Sequence, residues 1–500
     1  MTQQLHPQDS RSLLRSAPRP PRSLLLAALA IATTASAQDL APKAPPQNQP
    51  ITIYNAVIHT ISGPTIPKGF VSFSDGVIRE VAEGDPHVPA SFADAAKGFI
   101  DAHGMHVYPG LIAAETQLGL QEFGLIQQTN DHSELGNVKP EVLAASAVNP
   151  DSTLLPVTRT NGILTAGVFP DGGLIPGRAC AIRLEAWTVE ELPIAPTPAS
   201  ALAGSAIGLV VNWPQARTIR AWWMDQSEED QLRAIREARE QLASVFDTAA
   251  AYAAARAADP SLPTDQRWEA MRPVFPPSQR EGSGDVGRGL ATPVPGSPVA
   301  DRGSPSSQLP LFIFANDSDQ IAAAASFCSE RRLRMVLVGG RESHHCAQLL
   351  RAHDIPVIIT GTHALPRRAD SPYDEPYTLP ARLHAAGVRF CIASADRTAH
   401  ERNLPYNAAM GVAHGLPMDA AIASVTLWPA QILGLGDQLG SLEPGKRATI
   451  ILTDANPLDV TTRIDSAYID GRRIDLTNKQ IKLYEKYRER YKQLGQIKGK

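Results

Sequence analysis

Short alternating apolar segments mark both ends of the chain. Residues 51–58 alternate apolar and β-branched side chains, and residues 69–73 and 76–78 follow after turn residues. A second group, at residues 448–452 and 466–472, has the same character near the other end. These patterns predict β-strands, and neither group is large enough to close a hydrophobic core alone. We therefore expect the two ends to pair in one small β-domain.

Between these ends, short apolar runs alternate with segments of helical length. The runs predict buried strands at residues 163–169, 207–211, 311–314, 335–338, 357–360 and 390–393. Several of these runs precede amphipathic stretches, and such a βα rhythm is typical of a parallel sheet or barrel.

The longest predicted helix begins at Ser227. Asp230 stands three residues further on, which is the spacing of a capping box, and Asp259-Pro260 ends the segment. Its periodicity directs four side chains toward a core, namely Leu232, Ile235, Leu242 and Phe246.

Length and charge narrow the class of protein. Five hundred residues exceed what one hydrophobic core usually serves, so we expect at least two structural units. The net charge of −4 provides no field that would attract nucleic acid. A small-molecule ligand is the expected partner, and homo-oligomer formation is left open.

The amino-terminal residues have the order of an export signal. Four arginines precede an apolar run at residues 23–32, and Ala35-Ser36-Ala37 follows. This order predicts a signal peptide at residues 1–37 and a periplasmic or secreted protein. Later apolar runs are too short to cross a bilayer, so no membrane insertion is expected. The spacing of the four cysteines requires no disulfide.

Two segments differ in composition from the rest. Residues 276–308 are rich in Pro, Gly and Ser and predict an inserted loop. Residues 476–500 are charged and contain several tyrosines, which indicates a surface helix that passes into a basic tail.

Several motifs resemble the amidohydrolase superfamily. Residues 99–104 (Phe-Ile-Asp-Ala-His-Gly) and 107–112 (Val-Tyr-Pro-Gly-Leu-Ile) are similar to the sequence that leads these proteins into their first barrel strand. The family's exit from the barrel is resembled by residues 408–417, 426–434, 440–448 and 456–459. Within the superfamily, the sequence is most similar to imidazolonepropionase-like members.

The resemblance implies an α/β fold, a (β/α)8 TIM-like barrel with a small composite β-sandwich formed from both ends of the chain. On this basis residues 111–435 are the barrel, while residues 38–110 and 436–475 supply the two parts of the sandwich. Proteins of this superfamily hydrolyse carbon–nitrogen bonds with one or two divalent metal ions, which activate a bound water.

The positions of the family's metal ligands are substituted. The first-strand His-x-His motif is Glu115-Thr116-Gln117 here. The histidines that end the fifth and sixth strands are absent from residues 314–317 and 338–341, whereas the eighth-strand aspartate is retained as Asp396. The resemblance therefore implies a reduced or lost metal site. We expect no cofactor, or at most a single divalent metal such as zinc.

The same alignment predicts the residues of the barrel mouth, where active sites lie in this fold. Asp396 and His363 are the candidate catalytic residues. The candidate ligand-binding residues are Glu115, Gln117, Asn316, Asp317, Arg341 and Arg397. Three of these residues have a structural alternative: Glu115 can pair with Arg341, Asp396 can cap a helix, and His363 can serve as a hydrogen-bonded structural residue. The glycine-rich residues 170–179 either present backbone amides to a ligand or form a tight turn.

Three functional readings remain open at this point. The first is a hydrolase with a reduced metal site, and the second is a non-catalytic ligand-binding protein, a pseudoenzyme that uses the barrel mouth. The third is weak metal-independent catalysis by His363 and Asp396. Metal content distinguishes a metal-dependent hydrolase from the second and third readings, because only the hydrolase should hold tightly bound zinc or a similar ion.

Overall fold

The computed structural model describes residues 39, 41–86, 98–196, 204–219, 225–276, 308–394 and 398–497. The predicted signal peptide, nearly all of the predicted insertion, Asp396 and Arg397 lie outside these residues. No helix within the described ranges is long and apolar enough to cross a membrane.

One sheet contains strands from both ends of the chain. Its strands are β1 (Ile51–Ile58), β2 (Ile66–Ser74), β3 (Val77–Glu83), β4 (Phe99–Asp101), β5 (His106–Pro109), β14 (Ile450–Thr453), β15 (Ile464–Ile469) and β16 (Arg472–Arg473). The junction is the antiparallel pair of β5 and β14, in which Tyr108 lies opposite Ile451. β5 also pairs with β1 in parallel. The two ends therefore share one sheet, as their alternating patterns predicted.

The second sheet has eight strands in sequence order. They are β6 (Leu111–Thr116), β7 (Ile163–Val168), β8 (Gly177–Arg183), β9 (Ala206–Asn212), β10 (Leu311–Ala315), β11 (Met335–Gly339), β12 (Val357–Thr360) and β13 (Phe390–Ala393). Residues 424 and 425 bridge its two edges. The Ile112 N–H donates to the Val425 carbonyl at 2.8 Å, and the Ile392 N–H donates to the Ser424 carbonyl at 3.0 Å. The sheet is thus a nearly closed, TIM-like barrel.

One barrel strand runs against the others. β8 is antiparallel to both β7 and β9, whereas the (β/α)8 expectation was an all-parallel barrel. The connection at residues 169–176 is too short for a crossover helix, so the chain returns as a hairpin. The glycine-rich residues 170–179 accordingly include this turn and the start of β8.

The barrel encloses a packed apolar interior. Phe169 and Phe312 meet edge to face inside it, with ring centroids 4.9 Å apart. Alternate residues of neighbouring strands, such as Val336, Val338 and Ile358, join the same cluster. Because these side chains fill the barrel, ligands reach only its open end.

Ten α-helices are described. They are α1 (Leu154–Arg159), α2 (Glu228–Ala258), α3 (Gln266–Met271), α4 (Ser318–Glu330), α5 (Ala347–Ala352), α6 (Glu375–Ala385), α7 (Leu404–Ala413), α8 (Met418–Ala423), α9 (Leu427–Ile432) and α10 (Lys479–Gln493). Short 3-10 helices occur at Gln127–Thr129, Ala144–Ser146, Arg272–Val274, Ser343–Cys346 and Thr398–Asn403.

The predicted start and end of α2 are confirmed. The Ser227 hydroxyl accepts the Asp230 N–H at 3.1 Å, and Asp259 follows the last helical residue. Leu242 and Phe246 are buried as predicted, whereas Ile235 is half-buried and Leu232 is exposed, because the buried part of α2 begins only at Leu242.

Candidate functional site

The candidate site lies at the carboxyl-terminal end of the barrel. Five parallel strands deliver their following residues there: β6 leads to Gln117, β10 to Asn316, β11 to Arg341, β12 to His363 and β13 to Ser394. Parallel strands of a barrel end on the same face, which is why residues from distant parts of the sequence meet.

Glu115 is an acidic residue in acidic surroundings. It is the penultimate residue of β6, and its carboxyl group is buried although the residue as a whole keeps some exposed surface. Burial of the carboxyl group, together with the nearby charges of Glu401 and Asp171, raises the pKa of Glu115 to about 8. The side chain is therefore mostly protonated at neutral pH. The charges that act on Glu115 are those of carboxylates, and the guanidinium of Arg341 contacts the Leu365 carbonyl instead of Glu115.

Glu401 is a mouth residue that the sequence interpretation missed. It lies in the 3-10 helix Thr398–Asn403 and is buried. Its Oε1 accepts a hydrogen bond of 2.8 Å from the hydroxyl of Ser394, which directly follows β13. A buried glutamate in a short charged segment has no local sequence signal, because the same letters are typical of an exposed turn. Asp171 was within the glycine-rich stretch but was not singled out.

Asn316 presents a buried polar atom near β11. Among the described residues, its Oδ1 has no hydrogen-bond partner. Gly339 lies directly beside it, since a Cβ atom there would stand 2.6 Å from this oxygen. The backbone φ of Gly339 is +95°, so glycine suits both the conformation and the space. The backbone of Gly339 therefore packs directly against this oxygen, and any larger residue at position 339 would collide with it.

The side chain of Asp317 is bonded to other groups of the protein. Asp317 is the N-cap of α4, and its backbone N–H donates to Gln320 Oε1 at 3.2 Å. Its carboxylate accepts two hydrogen bonds from Arg367, and these lower the pKa of Asp317 below its usual value. Asp317 therefore caps α4 and pairs with Arg367, and its role in ligand binding stays a prediction.

His363 and Arg341 lie at the rim. The His363 ring is exposed, and its backbone N–H donates to Asn407 Oδ1 at 3.2 Å. Asn407, on α7, also accepts the Thr362 N–H at 2.9 Å and so positions the loop after β12. The Arg341 guanidinium makes a long contact of 3.5 Å with the Leu365 carbonyl. Both side chains remain accessible from solvent.

Backbone N–H groups of the glycine-rich turn donate hydrogen bonds to other groups of the protein. The Leu174 N–H donates to Asn137 Oδ1, and the Ile175 N–H donates to the Asn137 carbonyl, both at 3.0 Å. The Gly172 N–H donates to Asp171 Oδ1 at 2.6 Å. The idea that this stretch binds an anion is therefore not supported, because these donors already have acceptors.

The described part of the mouth offers few side chains that could hold a binuclear metal centre. Across the described ranges, no group of three or more His, Cys, Asp or Glu side chains is arranged to hold a metal ion. The strand ends that should supply imidazoles offer Asn316 and Gly339 instead, and the nearby carboxylates of Asp317 and Glu342 are bound by Arg367 and Arg368. Gln117, at the second first-strand position, is a weak ligand for zinc.

Comparisons with known proteins agree with the fold and with the motifs. Residues 340–478 match the sequence profile of the amidohydrolase family. A segment of 142 residues, 26% of this chain, is 34% identical to amidohydrolase tasK of Hapsidospora irregularis. A segment of 50 residues, 10% of this chain, is 50% identical to 5-methylthioadenosine/S-adenosylhomocysteine deaminase of Teredinibacter turnerae. These segments span only 14% and 11% of the two relatives.

The crystal structure of an amidohydrolase from Thermotoga maritima MSB8 has a similar fold. Its TM-score is 0.67 at 20% identity, over 85% of this chain and 99% of that protein. At this identity the likeness concerns the fold alone. Together with the matching profile, it supports the amidohydrolase superfamily and, at the level of the family, a hydrolase.

Proposed function

We propose, on the premise of the amidohydrolase superfamily, that this chain is an exported protein with a reduced or lost metal site whose barrel mouth binds a small-molecule ligand. By family it is a hydrolase of carbon–nitrogen bonds, of the imidazolonepropionase-like kind, and the named amidohydrolase and deaminase relatives support that reaction class. The proposal includes residues 1–37 as the export signal, and it treats the sheet from both chain ends as a composite β-sandwich.

The proposal of a reduced metal site rests on one observation. Glu115 and Gln117 stand at the two first-strand ligand positions, and Asn316 and Gly339 stand at the ends of β10 and β11, where the family motif implies imidazoles. A catalytic zinc commonly needs three protein ligands and an open position for water. Among the described residues, no group of three or more His, Cys, Asp or Glu side chains is arranged to complete such a set.

The protonated Glu115 suits hydrogen bonding to a ligand. At neutral pH it can donate a hydrogen bond to a carbonyl oxygen of the ligand. Without a metal ion to lower the pKa of water, hydrolysis by the family mechanism is expected to be absent or very weak. His363 and Asp396 remain the proposed acid–base residues for any turnover that does not depend on metal.

The second candidate function is binding without catalysis. The residues at the strand ends favour it, because Asn316 and Gly339 stand where the family motif implies imidazole ligands and cannot supply them.

The test combines metal analysis with hydrolysis assays. Protein recovered after export and purified without added metal is assayed for zinc, manganese and iron, and for hydrolysis of dipeptides, N-acyl amino acids and cyclic imides. We expect less than one metal ion per chain, and any residual turnover should be unchanged by a chelator. Two metal ions per chain, with turnover lost on chelation and restored by zinc, would contradict the proposal.

A matched pair of variants separates catalysis from binding. Glu115→Gln should change the affinity for a ligand found by thermal-shift screening, while His363→Gln should reduce turnover and leave that affinity nearly unchanged. If His363→Gln and Glu115→Gln both leave turnover intact, the catalytic alternative with His363 is excluded.

A further inference from the structure

The carboxyl-terminal helix α10 exposes an apolar and aromatic face. Leu483, Tyr484, Tyr487, Tyr491 and Leu494 are all exposed, with exposed fractions between 42% and 65%. No residue of α10 is buried. A helix that packed on the body of the protein would bury one side, so this face has no partner among the described residues.

The five side chains share one side of the helix. Their spacing of three, four and seven residues corresponds to about 100° per residue, which places them in one stripe along α10. The opposite side carries charged residues. The helix is therefore amphipathic although neither side contacts the protein core.

The charge of α10 is opposite to that of the whole chain. The helix has six Lys or Arg and two Glu, whereas the complete chain has a net charge of −4. Basic groups flank the aromatic stripe: the Lys486 ammonium lies 6.0 Å from the Tyr487 ring, and the Arg490 guanidinium lies 5.8 Å from the Tyr491 ring. Tyrosine beside Lys and Arg is typical of segments that lie at a membrane interface.

The start of α10 is tied to the end of the barrel opposite the mouth. The Asn478 side chain caps the helix by accepting the Ile481 N–H at 2.9 Å. Its Nδ2 donates to Thr160 Oγ1 at 3.4 Å, and Thr160 precedes the amino-terminal end of β7. A surface bound by α10 would thus leave the mouth open to solvent.

We propose that α10 docks this protein on an anionic lipid surface. Tyr484, Tyr487 and Tyr491 would enter the headgroup region, while the lysines and arginines contact lipid phosphates. Charge favours this occupant over a second copy of the chain, because two helices with an excess of positive charge repel one another. The binding is peripheral and independent of the chemistry at the mouth.

Vesicle sedimentation tests the proposal. Protein recovered after export is mixed with vesicles of phosphatidylcholine containing phosphatidylglycerol, or of phosphatidylcholine alone. We expect binding to the anionic vesicles only, weakening as salt is raised. The double variant Tyr487→Ser/Tyr491→Ser should lose at least about tenfold in affinity, since two interfacial side chains are removed. Glu485→Gln/Glu489→Gln should strengthen binding several-fold.

Controls make every outcome decisive. Tyr373→Ser removes a tyrosine that is even more exposed and lies outside α10, and this variant should bind like the unchanged protein. The melting temperature and circular dichroism of the Tyr487→Ser/Tyr491→Ser variant should be unchanged, because these rings contact no core residue. Absence of binding to anionic vesicles overturns the proposal, and so does binding that the tyrosine variant does not affect. Dimerisation in solution that this variant abolishes, without vesicle binding, would instead assign the face to a second copy.

Discussion

Arg367 holds the carboxylate of Asp317 through two hydrogen bonds. Its Nε donates to Oδ1 at 2.7 Å and its Nη2 donates to Oδ2 at 2.9 Å. The pair links the loop after β12 to the first residue before α4, across the rim of the barrel mouth. A bidentate geometry of this kind fixes both side chains more firmly than a single contact does.

Asp317→Ala should destabilise the protein more than Arg367→Ala does. The first change removes a helix cap as well as the ion pair and should cost about 1–2 kcal/mol, whereas loss of a partly exposed ion pair alone should cost under about 1 kcal/mol. Urea unfolding of both variants measures the difference. Arg217→Ala breaks a more exposed pair with Asp319 and serves as the control with almost no effect. Equal losses for Asp317→Ala and Arg367→Ala would show that the cap contributes nothing.

Glu115→Gln should stabilise the protein at alkaline pH. The pKa of Glu115 is raised from 4.5 to about 8 by burial, Glu401 and Asp171. Between these values the folded state keeps a proton that the unfolded state releases, so stability falls as pH rises through 8. Glutamine does not ionise, and the variant should therefore exceed the unchanged protein by on the order of a few kcal/mol near pH 9.

Melting temperatures from pH 5 to pH 9 measure this effect. The two proteins should differ least at pH 5, where Glu115 is protonated in the folded state. Glu134→Gln changes an exposed glutamate and should leave the pH profile unaltered. Parallel profiles for Glu115→Gln and the unchanged protein would mean that Glu115 titrates normally.

His59 should make the β-domain sensitive to acid. Its Nε2 lies 2.9 Å from Nδ1 of His106, and its ring stacks on Tyr108 with centroids 3.9 Å apart. Burial and, secondly, His106 lower the pKa of His59 to about 4, while Asp419 opposes them. Between pH 6.5 and 4 the unfolded state takes up a proton that the folded state does not, so stability should fall as pH falls through this window.

His59→Gln should flatten the acid limb of the stability profile. Glutamine keeps a hydrogen-bonding group next to His106 but cannot be protonated. The measurement is the melting temperature at intervals between pH 4 and pH 7. His103→Gln, which replaces an exposed histidine in the same domain, should keep the acid limb. An acid limb of equal slope in His59→Gln would assign it to other groups.

Substitution of Arg159 should lower the free energy of unfolding more than substitution of most other charged residues does. Arg159 is buried, with an exposed fraction of 3%, and its Nη1 donates to Glu185 Oε2 at 2.8 Å. Arg159→Met leaves that carboxylate buried without its partner and should cost about 3–5 kcal/mol. Arg159→Met/Glu185→Gln should recover part of the loss, because no unpaired charge remains.

Chemical unfolding of these variants tests the ion pair. Arg389→Met breaks an exposed pair with Asp354 and should stay within about 1 kcal/mol of the unchanged protein. A double variant that is less stable than Arg159→Met would show that Glu185 is held mainly by its other bond, to the Ala44 N–H at 2.6 Å.

Local patterns were sufficient for most of the fold. Alternating apolar residues located β1 and β15, and the buried runs located β10 to β13, because side-chain periodicity follows directly from strand geometry. The start of α2 was equally readable, since capping at Ser227 is a local interaction. The direction of β8 could not be predicted from the local pattern. A strand's direction depends on the path of the connection before it, which tertiary packing decides.

The sequence by itself placed a strand after the Pro109-Gly110 motif, and the resemblance to amidohydrolases implies that Glu115 and Gln117 stand there at the positions of metal-binding histidines. Only the tertiary structure decided what surrounds them. Glu401 and Asp171 approach Glu115 from separate loops, and Arg367 reaches Asp317 from another strand end. Loop paths are set by packing between distant segments, and no local pattern of residues records which carboxylate will meet an arginine and which will meet another carboxylate.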